Sequence, residues 1–202
     1  MSIFLDRKSI RHYDKNYKIP KEELNSILKL ALRAPSSMNL QPTKLLVIQS
    51  NEAKEKIRPA MLGNHLQLDT SSAFILVLTD LNKFVTGKDV FKNSYDAGIL
   101  PKDVYNRQLS IIEERNKTYP LESIVKEGFL DAGLVAMQLM LVAKDRGYDT
   151  CPIGGFNKES VLKTLGIENE NLMPVVIISL GKALEKGYDS YRSDLNDVVK
   201  FI

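Results

Sequence analysis

The chain has 202 residues, of which 44% are hydrophobic and 26% charged, and its 28 Lys+Arg against 25 Asp+Glu leave a formal charge of +3. That size and balance exclude intrinsic disorder and supply enough chain for one sizeable core, so residues 1–202 read as a single domain. A charge this small does not by itself argue for nucleic-acid binding, which shows as a clustered basic face.

The first element is the basic segment Arg7-Lys8-Ser9-Ile10-Arg11. Pro20 followed by Lys21-Glu22-Glu23 marks a helix start, with proline at the first position and acids facing the positive dipole end. Leu24, Ile27, Leu28 and Ala31 continue at helical spacing until Pro35. The apolar run Leu45-Leu46-Val47-Ile48 reads as a buried strand, residues 51–58 as a helix broken by Pro59, and residues 73–78 as a second buried strand. Residues 82–120 are polar, with scattered Phe84, Phe91, Tyr95, Tyr105 and Tyr119. They read as an excursion from the core, a lid with one or two helices over 101–116. Residues 121–147 form a long helix, apolar around most of its circumference over 129–143, and such a helix is buried in a core or a subunit interface. Asn157 caps a short helix that stops at Gly166, and residues 174–180 form a third strand. The polar end closes on Phe201-Ile202, which should dock on its own core or a partner's. Helices interleaved with a few apolar strands give an α/β or α+β protein with helices dominant.

Cys151 is the only cysteine, so no intrachain disulfide forms and a reducing, cytoplasmic setting is expected. The opening Met1-Ser2-Ile3-Phe4-Leu5-Asp6-Arg7 lacks a basic segment followed by an apolar one, so no secretory signal is expected. The stretch 129–143 carries Asp131 and Gln138 and falls short of the roughly 18 residues of a membrane span. No membrane partner is expected.

The usual catalytic sets are missing from the sequence. His12 and His65 have no Cys or carboxylate cluster at metal-ligand spacing, so no metal site is expected. Neither a G-x-S-x-G elbow, nor a phosphate-binding G-x-x-x-x-G-K-[ST] loop, nor a G-x-G-x-x-G turn after a strand occurs. Cys151, beside Gly154-Gly155, reads as a buried small hydrophobe. Three segments instead point to a flat, anionic ligand. In an extended Arg7-to-Arg11 segment, Arg7, Ser9 and Arg11 share a face away from Lys8 and Ile10, and guanidiniums with a hydroxyl suit a phosphate. A solvated basic terminus is the other reading. Ala34-Pro35-Ser36-Ser37-Met38-Asn39-Leu40-Gln41-Pro42 makes a stiff loop displaying hydroxyl and amide groups, or an ordinary connection. Gly154-Gly155 lets backbone N–H groups approach a ligand, or makes a tight turn.

These segments, in this order, together with Gly147-Tyr148-Asp149-Thr150-Cys151-Pro152-Ile153-Gly154-Gly155-Phe156, Gly181-Lys182-Ala183 and Tyr191-Arg192, resemble the nitroreductase family of flavoproteins over almost the whole chain. The resemblance implies an α+β, three-layer α-β-α sandwich and an interlocked homodimer with FMN at the subunit interface. It implies that Arg7, Ser9, Arg11 and Arg192 bind FMN, Arg7 and Arg192 holding its phosphate. Pro35, Ser36, Ser37 and Asn39 would form a flavin wall from the other subunit. Asn64 and Gln67 would meet the pyrimidine edge and ribityl chain, and Gly154 and Gly155 would present N–H groups near N5 and O4. The long helix becomes the dimer core, and residues 82–120 cover the pocket and choose among acceptors. No catalytic side chain is required, because a flavin carries the redox chemistry and the protein supplies binding and electrostatics. The activity implied is a ping-pong transfer from NAD(P)H to a nitroaromatic or quinone.

Two positions depart from the family pattern. Gln67 stands where many members have lysine, and Ser190 where another cation is found, which should lower the flavin's reduction potential. The fold also hosts reductases of enals, pteridines or semialdehydes. A different class of function, a non-catalytic module docking a phosphorylated partner on the basic N-terminus, predicts a colourless protein and salt-sensitive binding.

Overall fold

Every residue of the strand Ala73–Asp80 is buried. A strand with alternate side chains on opposite faces can be buried throughout only if both faces of its sheet are covered. The computed structural model, which describes residues 2–202, shows how. Strands β1 (Thr43–Ile48), β2 (Ala73–Asp80), β3 (Asp149–Ile153) and β4 (Leu172–Gly181) form one sheet in the order β1-β2-β4-β3. All neighbouring pairs are antiparallel. Of the helices, α1 (Ile3–Asp6) precedes the basic segment. The others are α2 (Lys21–Ala31), α3 (Asn51–Ile57), α4 (His65–Thr70), α5 (Lys83–Asp96), α6 (Lys102–Thr118), α7 (Leu121–Asp145), α8 (Val161–Thr164) and α9 (Leu195–Val198).

Ala73, Ile75 and Val77 face one layer, packing with Leu24, Ile27 and Ala31 of α2 and with Ala132, Val135 and Leu139 of α7. Phe74, Leu76 and Leu78 face the other, packing with Ile57 of α3, Leu68 of α4 and Val161 and Leu162 of α8. The result is the expected three-layer α-β-α sandwich.

The helix and strand signals before residue 82 match α2, β1, α3 and β2, and the later apolar run matches β4. The excursion holds α5 as well as the expected helix, α6, and both pack around Leu40, Phe84, Phe91 and Ile112 as a third apolar cluster. Strand β3 had no sequence signal, since Pro152 lies inside it. It is an edge strand, where a missing N–H breaks no ladder, and that tolerance explains the proline.

Helix α7 is not buried all round. Its inner face is covered, but Leu130, Leu134 and Met137, spaced to share one face, are 64%, 41% and 40% exposed. The C-terminal end does not dock on its own core, as Phe201 and Ile202 are both exposed. Among the described residues no helix is long and apolar enough to cross a membrane.

Candidate functional site

The basic segment is extended and tied to the β3 edge of the sheet. Ser9 forms a parallel bridge with Thr150, and the Ile10 N–H donates to the Thr150 carbonyl at 3.0 Å. Ile10 turns inward and is buried, so its neighbours Ser9 and Arg11 project the other way. Tyr13 then bridges Ala183, and the Asp14 N–H donates to the Lys182 carbonyl at 2.8 Å, bringing the start of the chain beside the segment after β4. Arg7, Ser9 and Arg11 consequently meet Tyr188, Ser190 and Arg192 around a cavity of about 240 Å³.

Three guanidiniums, those of Arg7, Arg11 and Arg192, therefore border one small space. Arg192 Nη1 donates to Ser190 Oγ at 2.7 Å, and the Arg11 guanidinium lies 5.7 Å from the Tyr188 ring centre. Lys8, expected on the opposite face, borders the same cavity and pairs with Asp189 at 2.5 Å. That pair occupies the one carboxylate in the lining and leaves the arginines available to an anion. The Lys8 pair also draws the Asp189 carboxyl below its ordinary pKa. Glu185 accepts the backbone N–H of Arg11 at 2.5 Å, a second tie between the two ends of the chain. Lys8, Glu185, Tyr188 and Asp189 carried no sequence signal, because their partners are more than 170 positions away.

The polar patch continues from Ser9 along β3. Cys151 is buried with Arg11, Ser9 and Gln67 near its thiol, and burial pushes that thiol up, away from the reactive thiolate. Gln67 is 3% exposed, and its amide nitrogen donates to Asn64 Oδ1 at 3.0 Å. Asn64 adopts φ 60°, a left-handed conformation that asparagine tolerates, and leads into α4. Beside it, the Leu62 N–H donates to the Gly155 carbonyl at 2.9 Å. A Cβ on Gly155 would come within 3.2 Å of Asn64 Nδ2 and 3.3 Å of the Leu62 carbonyl, so a glycine is required for this approach. Neither Gly154 nor Gly155 gives its N–H to an acceptor among the described residues. Nothing lies within 4 Å of where a Gly154 Cβ would sit.

The structure thus brings Arg7, Ser9, Arg11, Asn64, Gln67, Gly154, Gly155 and Arg192 into one continuous region on the β3 side of the sheet. It does not bring Pro35, Ser36, Ser37 and Asn39 there. Their loop runs directly into β1, at the opposite edge, with two strands between it and β3. Neighbouring strands lie about 4.8 Å apart, so β1 and β3 are separated by roughly 14 Å. The loop is held against α7: the Ser37 N–H donates to Asp131 Oδ1 at 2.9 Å and Ser37 Oγ to Glu127 at 3.3 Å. A short helical turn covers Ser37–Asn39, and Met38, Asn39 and Gln41 all take positive φ.

The donor set suits a phosphorylated, planar, hydrogen-bonding ligand such as FMN. Guanidiniums at one end match a phosphate, the Asn64 and Gln67 amides match a ribityl chain or a pyrimidine edge, and the undonated N–H groups of Gly154 and Gly155 match a ring acceptor.

The sequence pattern described as the Nitroreductase family matches residues 5–182. YdgI of Bacillus subtilis, named as a candidate NAD(P)H nitroreductase, is 41% identical over 201 residues, covering 100% of this chain and 96% of YdgI. The CLA biosynthesis enone reductase of Lactiplantibacillus plantarum is 29% identical over 201 residues, 99% of this chain and 93% of that protein. A crystal structure of a candidate nitroreductase from Exiguobacterium sibiricum, in complex with FMN, superposes with a TM-score of 0.96 at 40% identity, covering 99% of this chain and 95% of that one. Site, fold and sequence agree: this chain belongs to the nitroreductase family.

Proposed function

We propose that this protein is an FMN-dependent oxidoreductase that moves electrons from NAD(P)H to an electron-poor small molecule, such as a nitroaromatic or quinone, and works as a homodimer. The observation that carries the reading is the meeting of Arg7, Arg11 and Arg192, from opposite ends of the chain, around one cavity that continues to Gln67 and Gly155. A solved relative with nearly the same fold is an FMN complex.

Arg7 and Arg192 hold the phosphate through charge-assisted hydrogen bonds, with Arg11 and Ser9 beside them. Asn64 fixes the amide of Gln67, so that its oxygen faces the ribityl and pyrimidine part of the ligand. Gly154 and Gly155 present N–H groups to the ring edge. When bound, FMN would supply the two-electron redox chemistry between NAD(P)H and the acceptor. Gln67 adds no charge near the ring, which disfavours the reduced anion relative to a lysine-bearing site, and Ser190 adds none beside Arg192.

A second copy completes the site. Pro35, Ser36, Ser37 and Asn39 stand at the far edge of the sheet and reach the arginine cluster only from a partner. The exposed Leu130, Leu134 and Met137 stripe on α7 and the undocked Phe201-Ile202 end give that partner an apolar surface to cover. Residues 1–202 act as one FMN-binding unit, in which 82–120 covers the pocket and selects the acceptor. A cytoplasmic setting accords with the single thiol.

The visible spectrum of the purified protein, recorded without oxygen before and after NADH or NADPH, tests this. Absorbance near ~450 nm that bleaches on addition is expected when a flavin does the redox work. A colourless protein that refuses added FMN would sink the reading and favour a phosphate-docking module. Likeness to an enone reductase over 99% of the chain favours, as a second reading, an α,β-unsaturated carbonyl acceptor. Reoxidation of the reduced protein by an enone but not by a nitroaromatic would select it.

A further inference from the structure

The region where α5, α6 and α7 meet the 35–42 loop holds a cluster of ionisable groups away from the arginine cavity. Lys83, at the start of α5, has a side chain only 1% exposed and pairs with Glu127 of α7. Glu127 also accepts the hydroxyl proton of Tyr119, which closes α6, and that of Ser37 at 3.3 Å. One carboxylate therefore gathers a helix start, a helix end and a loop. Asp131 lies four residues further along α7, on the same face, and takes the Ser37 N–H at 2.9 Å. From α6, the Arg115 guanidinium lies 5.3 Å from the Tyr119 ring centre and donates to Met38 Sδ at 3.3 Å. Beneath these polar ties, Leu40 is buried with Phe84, Phe91 and Ile112.

The loop needs such anchors. Met38, Asn39 and Gln41 have φ values of 53°, 55° and 50°, a backbone conformation unfavourable for residues with a Cβ and kept only where the surroundings enforce it. Lys83 has no other carboxylate partner among the described residues, so its buried charge depends on Glu127. Burial works against the Glu127 carboxylate, yet hydrogen bonds from Lys83, Tyr119 and Ser37 outweigh it and hold its pKa below the ordinary value.

We infer that Glu127 is a positioning residue: through Ser37 it sets the loop that closes the flavin site of the second copy, and through Lys83 and Tyr119 it bolts that loop to the α5–α6 excursion. The inference rests on the FMN reading above. The loop and the excursion then form one unit, so that the part of the protein that chooses the acceptor is registered against the part that walls the flavin. Acceptor selection is a property of this joint rather than of the excursion alone.

The test compares E127Q, S37A and the E127Q/S37A double variant in the full-length holoprotein, by FMN fluorescence titration and by visible circular dichroism of the bound flavin. A neutral amide at 127 cannot take the same three hydrogens. Loss of one loop anchor should weaken FMN binding about tenfold. The dichroism band should change, and the combined loss in E127Q/S37A should be smaller than the sum of the single losses, because the two variants share the Ser37–Glu127 contact. A separate measurement of KM for the acceptor should show it rising with kcat little changed. If E127Q does not fold, Y119F, which removes a donor to Glu127 without touching the flavin wall, decides, with a weaker but same-signed loss of FMN affinity expected. Folded variants that bind FMN as tightly as the wild type with an unchanged band, or losses that simply add, would overturn the inference and leave the FMN reading standing. A wild-type protein that takes up no FMN would overturn both.

Discussion

The two edges of the sheet prepare their ligand groups in different ways. At the β3 edge the basic segment is held by main-chain hydrogen bonds, Ser9 bridging Thr150 and Tyr13 bridging Ala183, and its charged side chains remain available. At the β1 edge the 35–42 loop has left-handed residues and is held by side chains of α7, the buried Asp131 and the partly buried Glu127. Backbone pairing is indifferent to side-chain identity, so the first edge can be re-equipped with different charges without losing its shape. The second depends on particular carboxylates, and changing one of them moves the backbone. Affinity for the phosphate should therefore respond to charge at the first edge and stability to packing at the second.

The largest expected effect is on the charged edge. Arg192→Ala removes one charge-assisted contact and should cost about 1.5–3 kcal/mol of FMN affinity, roughly a 10- to 150-fold rise in Kd. Its melting temperature should barely move, since the guanidinium donates only to Ser190 and to the neighbouring carbonyl. Unchanged affinity in a fluorescence titration would remove Arg192 from the phosphate site.

Next comes the packed edge. Gly128 lies beside Glu127 on α7, and an added Cβ would sit 2.4 Å from Thr79 Oγ1, which is buried in β2 and branches at its own Cβ. Gly128→Ala should destabilise the fold by about 1–3 kcal/mol through overpacking. Thermal unfolding measures it, and a variant as stable as the wild type would show that α7 can move off the sheet freely. A loss of FMN affinity well beyond the roughly tenfold expected from a displaced loop anchor would break the division between the two edges.

A smaller effect lies behind the charged edge, where Lys54 of α3 ties down the end of α4. It is 4% exposed, donates to the Ser71 carbonyl at 2.5 Å, and burial, with repulsion from Lys18, pulls its pKa down from 10.5 to about 8. Between about pH 8 and pH 10.5 the unfolded chain binds more protons at this group than the folded chain. Stability from Lys54 is therefore withheld below about pH 8 and gained as pH rises through that window. The gain should be on the order of 1–2 kcal/mol after discounting for water that reaches the amine on opening. Denaturant unfolding of the wild type and Lys54→Met across the window should show the rise only in the wild type. Parallel curves would mean that another group carries it.

Much of the framework was legible because its signals are local. The continuous apolar run of β2, helical spacing in α2 and the proline–acid start of α2 each sit within one element, and propensity and burial agree there. Strand β3 was illegible because Pro152 argues against a strand unless one knows that it lies at an edge. For α7 the sequence left two readings, core or subunit interface, because an apolar helix reads the same whether its partner is its own sheet or another chain. Within the candidate site, Arg7, Ser9, Arg11 and the two glycines could be picked out by short-range pattern. Their joining to Arg192, Asn64 and Gln67 could be expected only from the family resemblance.

The sequence by itself determined the apolar periodicities, the positions of the chain breakers and the presence of guanidinium, hydroxyl and amide groups in separate segments, since each follows from residues a few positions apart. The tertiary structure alone decided that the two ends of the chain share one cavity, that the 35–42 loop stands at the other edge of the sheet, and that Lys83 and Glu127 are partners. Those facts depend on strand order and on which helix covers which face, and these are settled by burying the whole of β2 from both sides at once.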